Sequence, residues 1–303
     1  MTQKTPSCSR RAFLRRSGYT LGATAMTASL PDTLPADESL FRISLAQWTI
    51  NKELKSGEVD NLDFAKVAHD HGIHAIEYVN QFFMDKARDE SYLGEMKKRA
   101  EDLGVKSLII MCDREGNIGD ADKKKRGEAI ENHRKWIDAA RFLGCHSIRV
   151  NAYSTGTREE QRDQVAEGLA SLTDYGAENE INVLVENHGG YSSDADWLAE
   201  VMTKVGHDRC GTLPDFGNFR IKDGESYDSY EGIQKLMPWA KGVSVKDRVW
   251  DHENNQSELD YDRMLKIVLD ADFRGYCGIE HGGFAGLETA RKKLEEARAR
   301  LAG

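Results

Sequence analysis

From residue 41 onward, short apolar, β-rich runs alternate with longer helical patterns, eight times in about 260 residues. The predicted strands cover residues 41–47, 73–79, 105–112, 145–151, 181–186, 210–215, 240–246 and 275–280. Strands that alternate with helices form a parallel sheet, and eight such units match the size and order of a (β/α)8 TIM barrel. We therefore predict a single α/β domain over residues 41–303, a barrel in which the first strand pairs with the eighth.

An open, doubly wound sheet is the main alternative for alternating strands and helices. Such a sheet usually has fewer strands, and one that binds a dinucleotide carries a G-x-G-x-x-G turn after its first strand. The segment that follows residues 41–47 contains no such turn. The barrel is therefore the favoured architecture.

The first 31 residues have the composition of a targeting segment. Arg10 and Arg11 precede a mildly apolar stretch over residues 19–30 that is rich in Ala, Thr and Gly. This order is typical of a twin-arginine signal peptide, so we predict a signal peptide over residues 1–31 and export by the twin-arginine machinery, to the periplasm or otherwise out of the cytoplasm. Residues 32–40 are interpreted as a short tether to the barrel.

The charge balance excludes several classes of partner. The chain has 42 basic and 51 acidic residues, a net charge of −9, and because residues 1–31 hold five of the basic groups and no acid, the remainder stands at −14. A body this acidic has no general attraction for nucleic acid or anionic lipid. No apolar run reaches the roughly 18 residues of a membrane span. We therefore expect a small-molecule partner, no nucleic acid and no stable membrane insertion, and leave homo-oligomer formation open.

Polar residues stand at the C-terminal ends of the predicted strands, which converge on one mouth of such a barrel. Among them, Glu186, Asp215 and Glu280 end three of the runs. Three carboxylates in an apolar barrel would repel one another and raise one another's pKa unless a cation lay between them. Because carboxylate oxygens are hard ligands, we predict a divalent metal ion, Mn²⁺ or Mg²⁺ first, with Co²⁺ or Zn²⁺ as alternatives.

Four strand-end segments carry a resemblance to a known superfamily. They read Val-Glu-Asn-His-Gly-Gly at 185–190, Leu-Pro-Asp-Phe-Gly-Asn-Phe at 213–219, Val-Ser-Val-Lys-Asp at 243–247 and Gly-Ile-Glu-His-Gly-Gly at 278–283. Together they resemble the xylose-isomerase-like barrels, the sugar phosphate isomerase/epimerase proteins, over nearly all of residues 41–301. The resemblance implies that Glu186, Asp215 and Glu280 ligate a divalent metal.

Two positions depart from the pattern of that superfamily. The resemblance implies a histidine ligand on strand seven, where this chain has Ser244, and often a histidine three residues after the strand-six aspartate, where it has Asn218. These departures imply either a lower metal affinity or a shell completed by His188, Asn218 or water. The fourth protein ligand is therefore left open.

The resemblance also implies a definite chemistry. A metal that chelates a sugar carbonyl and a neighbouring hydroxyl acidifies the C–H between them, and an enediolate forms. Glu186 and Glu280 would transfer the proton. Lys246 would either stabilise the oxyanion or form an ion pair with Asp247 or Asp215. The expected function is a metal-dependent sugar isomerase or epimerase. The residues expected to bind the sugar are Trp48, Glu77, Asn151, His188, Asn218 and His281.

Other functions share this scaffold. Loss of a β-substituent from the same enediolate would make the protein a keto-sugar or keto-glycoside lyase or dehydratase. The absent strand-seven histidine favours a carbohydrate-binding barrel without turnover. An apurinic-site endonuclease would need more histidine ligands and a basic face. The net charge of −14 on the residues after position 31 argues against it. A phosphorylated sugar is disfavoured, because the arginines that could hold a phosphate are scattered: Arg114, Arg149, Arg220 and Arg248.

Overall fold

The computed structural model describes residues 40–303, and these residues form a barrel of eight parallel strands. The strands are β1 (Arg42–Ala46), β2 (Ala75–Val79), β3 (Lys106–Met111), β4 (Ser147–Val150), β5 (Asn182–Glu186), β6 (Cys210–Leu213), β7 (Val243–Val245) and β8 (Tyr276–Ile279). The predicted (β/α)8 barrel is therefore confirmed. The signal peptide predicted over residues 1–31 and the tether over 32–40 lie, apart from Leu40, outside the described residues and stay predictions.

Two kinds of strand pairing complete the barrel, a regular ladder between β1 and β8 and isolated bridges between β6 and β7. Strand β1 pairs directly with β8, with Arg42 opposite Tyr276, as the sequence predicted. Strands β6 and β7 are joined, among the described residues, by isolated parallel bridges, one of which sets Asp215 opposite Ser244. The amide of Ser244 donates to the carbonyl oxygen of Pro214 at 2.9 Å. This closure brings the end of β6 beside β7, so that side chains from both reach the same mouth.

Helices connect the strands and cover the outside of the barrel. Six of them begin at an Asp or Thr whose side chain accepts a hydrogen bond from an amide of the first turn, which satisfies groups that a helix start leaves open. The helices are α1 (Asn51–Ser56), α2 (Phe64–Asp70), α3 (Glu90–Asp102), α4 (Lys123–Leu143), α5 (Arg158–Glu178), α6 (Ala195–Val205), α7 (Ser229–Leu236), α8 (Tyr261–Asp270) and α9 (Gly283–Ala302).

The apolar core has two parts. The larger part lies between the sheet and the helices and includes the fully buried Trp136 and Trp197. The smaller part lies inside the barrel and includes Leu184 and Leu213. Because alternate residues of a strand share a face, Leu184 lies one layer below Glu186, and Leu213 lies one layer below the residue two positions on, Asp215. An apolar floor therefore supports the polar mouth.

Two short antiparallel hairpins were not predicted. One joins Arg220–Lys222 to Glu225–Ser226 after β6, and the other joins Arg248–Trp250 to Gln256–Glu258 after β7. Both rise from the C-terminal ends of strands, the side of the barrel where the acidic residues lie. None of the helices in residues 40–303 has the length and apolar character that crossing a membrane requires.

Candidate active site

The structure brings Glu186, Asp215 and Glu280 together at the C-terminal mouth of the barrel. One carboxylate oxygen from each lies within 4.8 Å of the others. All three side chains are buried, although they come from positions far apart in the chain. We call these three residues the acidic triad.

Strand β7 supplies two partners for Glu280. Its Oε2 accepts a hydrogen bond from the Ser244 hydroxyl at 2.6 Å, and its Oε1 lies 3.0 Å from the ammonium nitrogen of Lys246. Ser244 and Lys246 are two residues apart, so they share the inward face of the strand end. Ser244, where the resemblance implied a histidine ligand, therefore presents a hydroxyl that orients Glu280.

Asp215 is held by the turn that follows it. Its Oδ1 accepts hydrogen bonds from the backbone amides of Gly217 at 2.7 Å and Asn218 at 2.9 Å, while its Oδ2 lies 3.3 Å from Lys246 Nζ. The amide of Asp215 donates to the side-chain oxygen of Asn187 at 2.7 Å. Asn187 was not among the predicted site residues, and its position directly after Glu186 was the available signal.

Glu186 faces two donors. Its Oε1 accepts a hydrogen bond from the Asn218 side-chain amide at 3.1 Å, and its Oε2 lies 2.8 Å from Arg149 Nε. The same guanidinium contacts Asp113 Oδ1 at 2.9 Å through Nη1. The sequence analysis named Arg149 only among scattered arginines that do not form a phosphate site. Its spacing of two residues from Asn151, which follows β4, was the signal for an inward-facing side chain.

Burial and the two cations set the charges of the triad. Burial raises the pKa of the Glu186 carboxyl, and Arg149 opposes that shift. Burial likewise raises the pKa of Asp215, opposed by Lys246. Burial would raise the pKa of Glu280 too, but Lys246 and the Ser244 hydroxyl hold it below its ordinary value. Burial lowers the pKa of Lys246, but the neighbouring carboxylates outweigh it, so the side chain stays an ammonium ion.

Two of the predicted sugar-binding residues lie at the rim of the mouth. His188 is exposed, and the Tyr153 hydroxyl donates to its carbonyl oxygen at 2.8 Å and lies at the same distance from its Nδ1. Asn151 donates to Asp113 Oδ1 at 2.8 Å, so it is linked to the triad through the Arg149 ion pair. Tyr153 was missed by the sequence analysis, because no strand-end pattern marks it.

Three other predicted residues lie outside the contacts of the triad. Trp48 is half-buried in a 3-10 turn after β1 and packs under the ammonium of Lys55 at 4.2 Å. Glu77 is fully buried inside the barrel, where its Oε1 accepts from the Ser44 hydroxyl at 2.6 Å. His281 lines a separate cavity at the start of α9. The structure shows contacts with the triad only for Asn218 among the six predicted sugar-binding residues.

These features define a class of protein, a (β/α)8 barrel with a buried acidic centre at its C-terminal mouth. The chain belongs to the xylose isomerase-like TIM barrel family, whose family model matches residues 65–302. No curated protein sequence matches the chain.

Solved structures with the same fold share little sequence with this chain. A xylose isomerase domain protein from Planctomyces limnophilus is 15% identical, with 86% of this chain and 98% of that chain covered and a TM-score of 0.70. A xylose isomerase-like TIM barrel protein from Mycobacterium smegmatis, in complex with magnesium, is 16% identical, covering 89% and 100%, with a TM-score of 0.66. A 3-keto-D-glucoside 4-epimerase from E. coli is 14% identical, covering 86% and 99%, with a TM-score of 0.63.

Proposed function

We propose that this protein is a sugar isomerase or epimerase that moves a proton on a carbon next to a carbonyl group through an enediolate. The observation that carries the proposal is the convergence of Glu186, Asp215 and Glu280 within 4.8 Å at the mouth of a xylose isomerase-like barrel. In (β/α)8 enzymes the active site lies at that mouth. Sugar epimerases such as the 3-keto-D-glucoside 4-epimerase share this fold.

The acidic triad fits a divalent metal ion of the Mg²⁺ or Mn²⁺ type. It offers hard carboxylate oxygens, close together and buried. With Asp113 there are four carboxyl groups near two cations, Arg149 and Lys246, and this excess of acid favours an added cation. We propose that the triad holds the ion, with the closest fit to Mn²⁺ or Mg²⁺. Such an ion would acidify the C–H beside a chelated sugar carbonyl.

The side chains of the site supply the proton transfers. Glu280 is the stronger candidate for the base, because the Ser244 hydroxyl donates to its Oε2 at 2.6 Å and favours its charged form. Glu186, whose Oε1 and Oε2 face Asn218 and Arg149, is the candidate for the second proton transfer. Lys246 can donate to the developing oxyanion of the substrate.

The test is deuterium wash-in from D₂O, followed by NMR across free ketoses, keto-sugars and keto-glycosides with Mn²⁺ added. The parent should place deuterium at one substrate carbon. Glu186→Gln and Glu280→Gln keep the shape and one ligand oxygen but cannot carry the proton, so wash-in should fall about 10²-fold or more. Metal content is measured in each variant, so that loss of the ion is separated from loss of the acid or base.

Other results of the same experiment would replace the proposal. Wash-in at the parental rate in both metal-loaded variants would remove these glutamates from the chemistry. An elimination product would identify a keto-sugar or keto-glycoside lyase. Sugar binding by the parent without any wash-in would identify a carbohydrate-binding barrel.

We further propose that the protein is exported by the twin-arginine machinery, which acts on folded proteins. The support is the order of residues in the sequence, with Arg10 and Arg11 ahead of the apolar stretch at 19–30. Changing both arginines to lysine should leave the protein in the cytoplasm of the expressing cell. Recovery of the double variant from the periplasm at the parental level would overturn this proposal.

A further inference from the structure

The ammonium group of Lys246 lies between two members of the acidic triad. Its Nζ is 3.0 Å from Glu280 Oε1 and 3.3 Å from Asp215 Oδ2, and the side chain is only 18% exposed. The other oxygen of each carboxylate already accepts hydrogen bonds from the chain, from Ser244 in one case and from two backbone amides in the other. Lys246 therefore faces the two oxygens for which the other residues of 40–303 supply no hydrogen-bond donor.

Those two oxygens are also the ones that a metal ion would need. A divalent ion binds carboxylate oxygens at about 2.0–2.6 Å. An ammonium ion that contacts the same oxygens would then lie a few ångströms from the metal, where two positive charges in a poorly solvated site repel strongly. The ion and the Lys246 ammonium therefore compete for the lone pairs of Asp215 and Glu280.

We propose that Lys246 is an internal counter-cation, which a divalent ion must displace from the acidic triad. In one state the ammonium faces Asp215 and Glu280, and the barrel is stable without an ion. In the other state the ion binds there, and the flexible four-carbon stem carries the ammonium toward the mouth. The inference rests on the metal site of the proposed function and adds that metal loading presents Lys246 to the substrate.

The first test measures Mn²⁺ affinity of the full-length protein by electron paramagnetic resonance, without substrate. Lys246→Met removes the competing charge and should tighten Mn²⁺ binding by about tenfold or more. Lys246→Arg keeps the charge and should bind no tighter than the parent. Lys135→Met is a matched control, because Lys135 is also a half-buried lysine paired with a buried carboxyl group, that of Glu115, at 2.8 Å.

The second test uses the parent protein and does not depend on how well a variant folds. Lysine acylation, measured by mass spectrometry, should rise several-fold at Lys246 when Mn²⁺ is added, because the ammonium leaves its buried position. Labelling of Lys135 should not change.

Each result separates the inference from the proposed function. Equal or weaker Mn²⁺ binding in Lys246→Met, or constant labelling at Lys246 in a parent that binds Mn²⁺, would overturn the inference and leave the metal site standing. Failure of both parent and Lys246→Met to bind Mn²⁺ would overturn the inference together with the metal part of the proposed function. Neither test measures turnover of a substrate.

Discussion

Arg149 Nε lies 2.8 Å from Glu186 Oε2, and both side chains are buried. The same guanidinium contacts Asp113, so one arginine on β4 connects the loop after β3 to the acidic triad. A buried charge that loses its partner is costly, whereas an exposed ion pair contributes little. Arg149 therefore contacts the triad and also stabilises the buried carboxylate of Glu186.

Arg149→Met should destabilise the protein by about 3–5 kcal/mol, because it leaves the buried Glu186 and the partly buried Asp113 without their cation. Arg134→Met, which breaks a pair with the exposed Glu131, should cost less than about 1 kcal/mol. Urea unfolding followed by circular dichroism gives both values. Similar losses in the two variants would show that Arg149 contributes no more than a surface arginine.

A divalent ion should raise the melting temperature of the parent, and Asp215→Ala should abolish that rise. Binding to the native state would stabilise it by mass action, and the variant lacks one of the proposed ligands. Asp247→Ala removes an exposed neighbouring carboxylate and should keep the response. Thermal scans with and without Mn²⁺ supply the comparison. An unchanged metal response in Asp215→Ala would exclude Asp215 as a ligand.

Glu77 should give the protein a stability that falls with rising pH. Burial raises the pKa of its carboxyl group from 4.5 to about 7. The native state then binds more protons than the unfolded chain, so this contribution is fully present below pH 4.5 and is lost as the pH rises through 7. Glu77→Gln keeps the bond from Ser44 and does not titrate.

Relative to the parent, Glu77→Gln should therefore gain about 3 kcal/mol between pH 4.5 and 8. The measurement is urea unfolding of both proteins at several pH values in that window. Subtracting the free energy of unfolding of one protein from that of the other cancels the contribution of every titratable group that both contain. A difference in unfolding free energy that stays constant across this pH window would mean that Glu77 of the native protein is charged at both ends of the window.

Gly168 is the site of a close approach between α5 and the loop after β3. A Cβ atom there would lie 1.9 Å from the carbonyl oxygen of Ile118, so Gly168→Ala should cost about 3 kcal/mol or more. Gly127→Ala, in the interior of α4 with open space around it, should stabilise by up to about 1 kcal/mol. Thermal unfolding compares the two. A stable Gly168→Ala variant would contradict this close packing.

The repeating pattern of the sequence predicted the strands and helices closely. The predicted strand over 181–186 is Asn182–Glu186 in the structure, and the predicted strand over 73–79 is Ala75–Val79. Both elements are long or strongly apolar, so their periodicity is clear. The hairpins after β6 and β7 were missed, because strands of two or three polar residues carry no such periodicity.

The sequence also indicated the triad, since Glu186, Asp215 and Glu280 each stand at the end of an apolar run. It named Asn218 as a site residue and left open whether Lys246 pairs with Asp215, but it did not indicate that Arg149 is a partner of Glu186. Whether Arg149 faces Glu186 or a phosphate, and whether Lys246 faces Asp215, depends on strand register, because a shift of one residue turns a side chain to the other face of the sheet.

The sequence by itself therefore determined the alternation of elements and the three acidic positions, because local periodicity and burial specify them. Only the tertiary structure decided that Lys246 lies between Asp215 and Glu280. The physical reason is that the bridge from Asp215 to Ser244 sets the end of β6 beside β7, while β7 pairs with β8, the strand that Glu280 follows. Contacts across such a closure join residues that no local pattern connects.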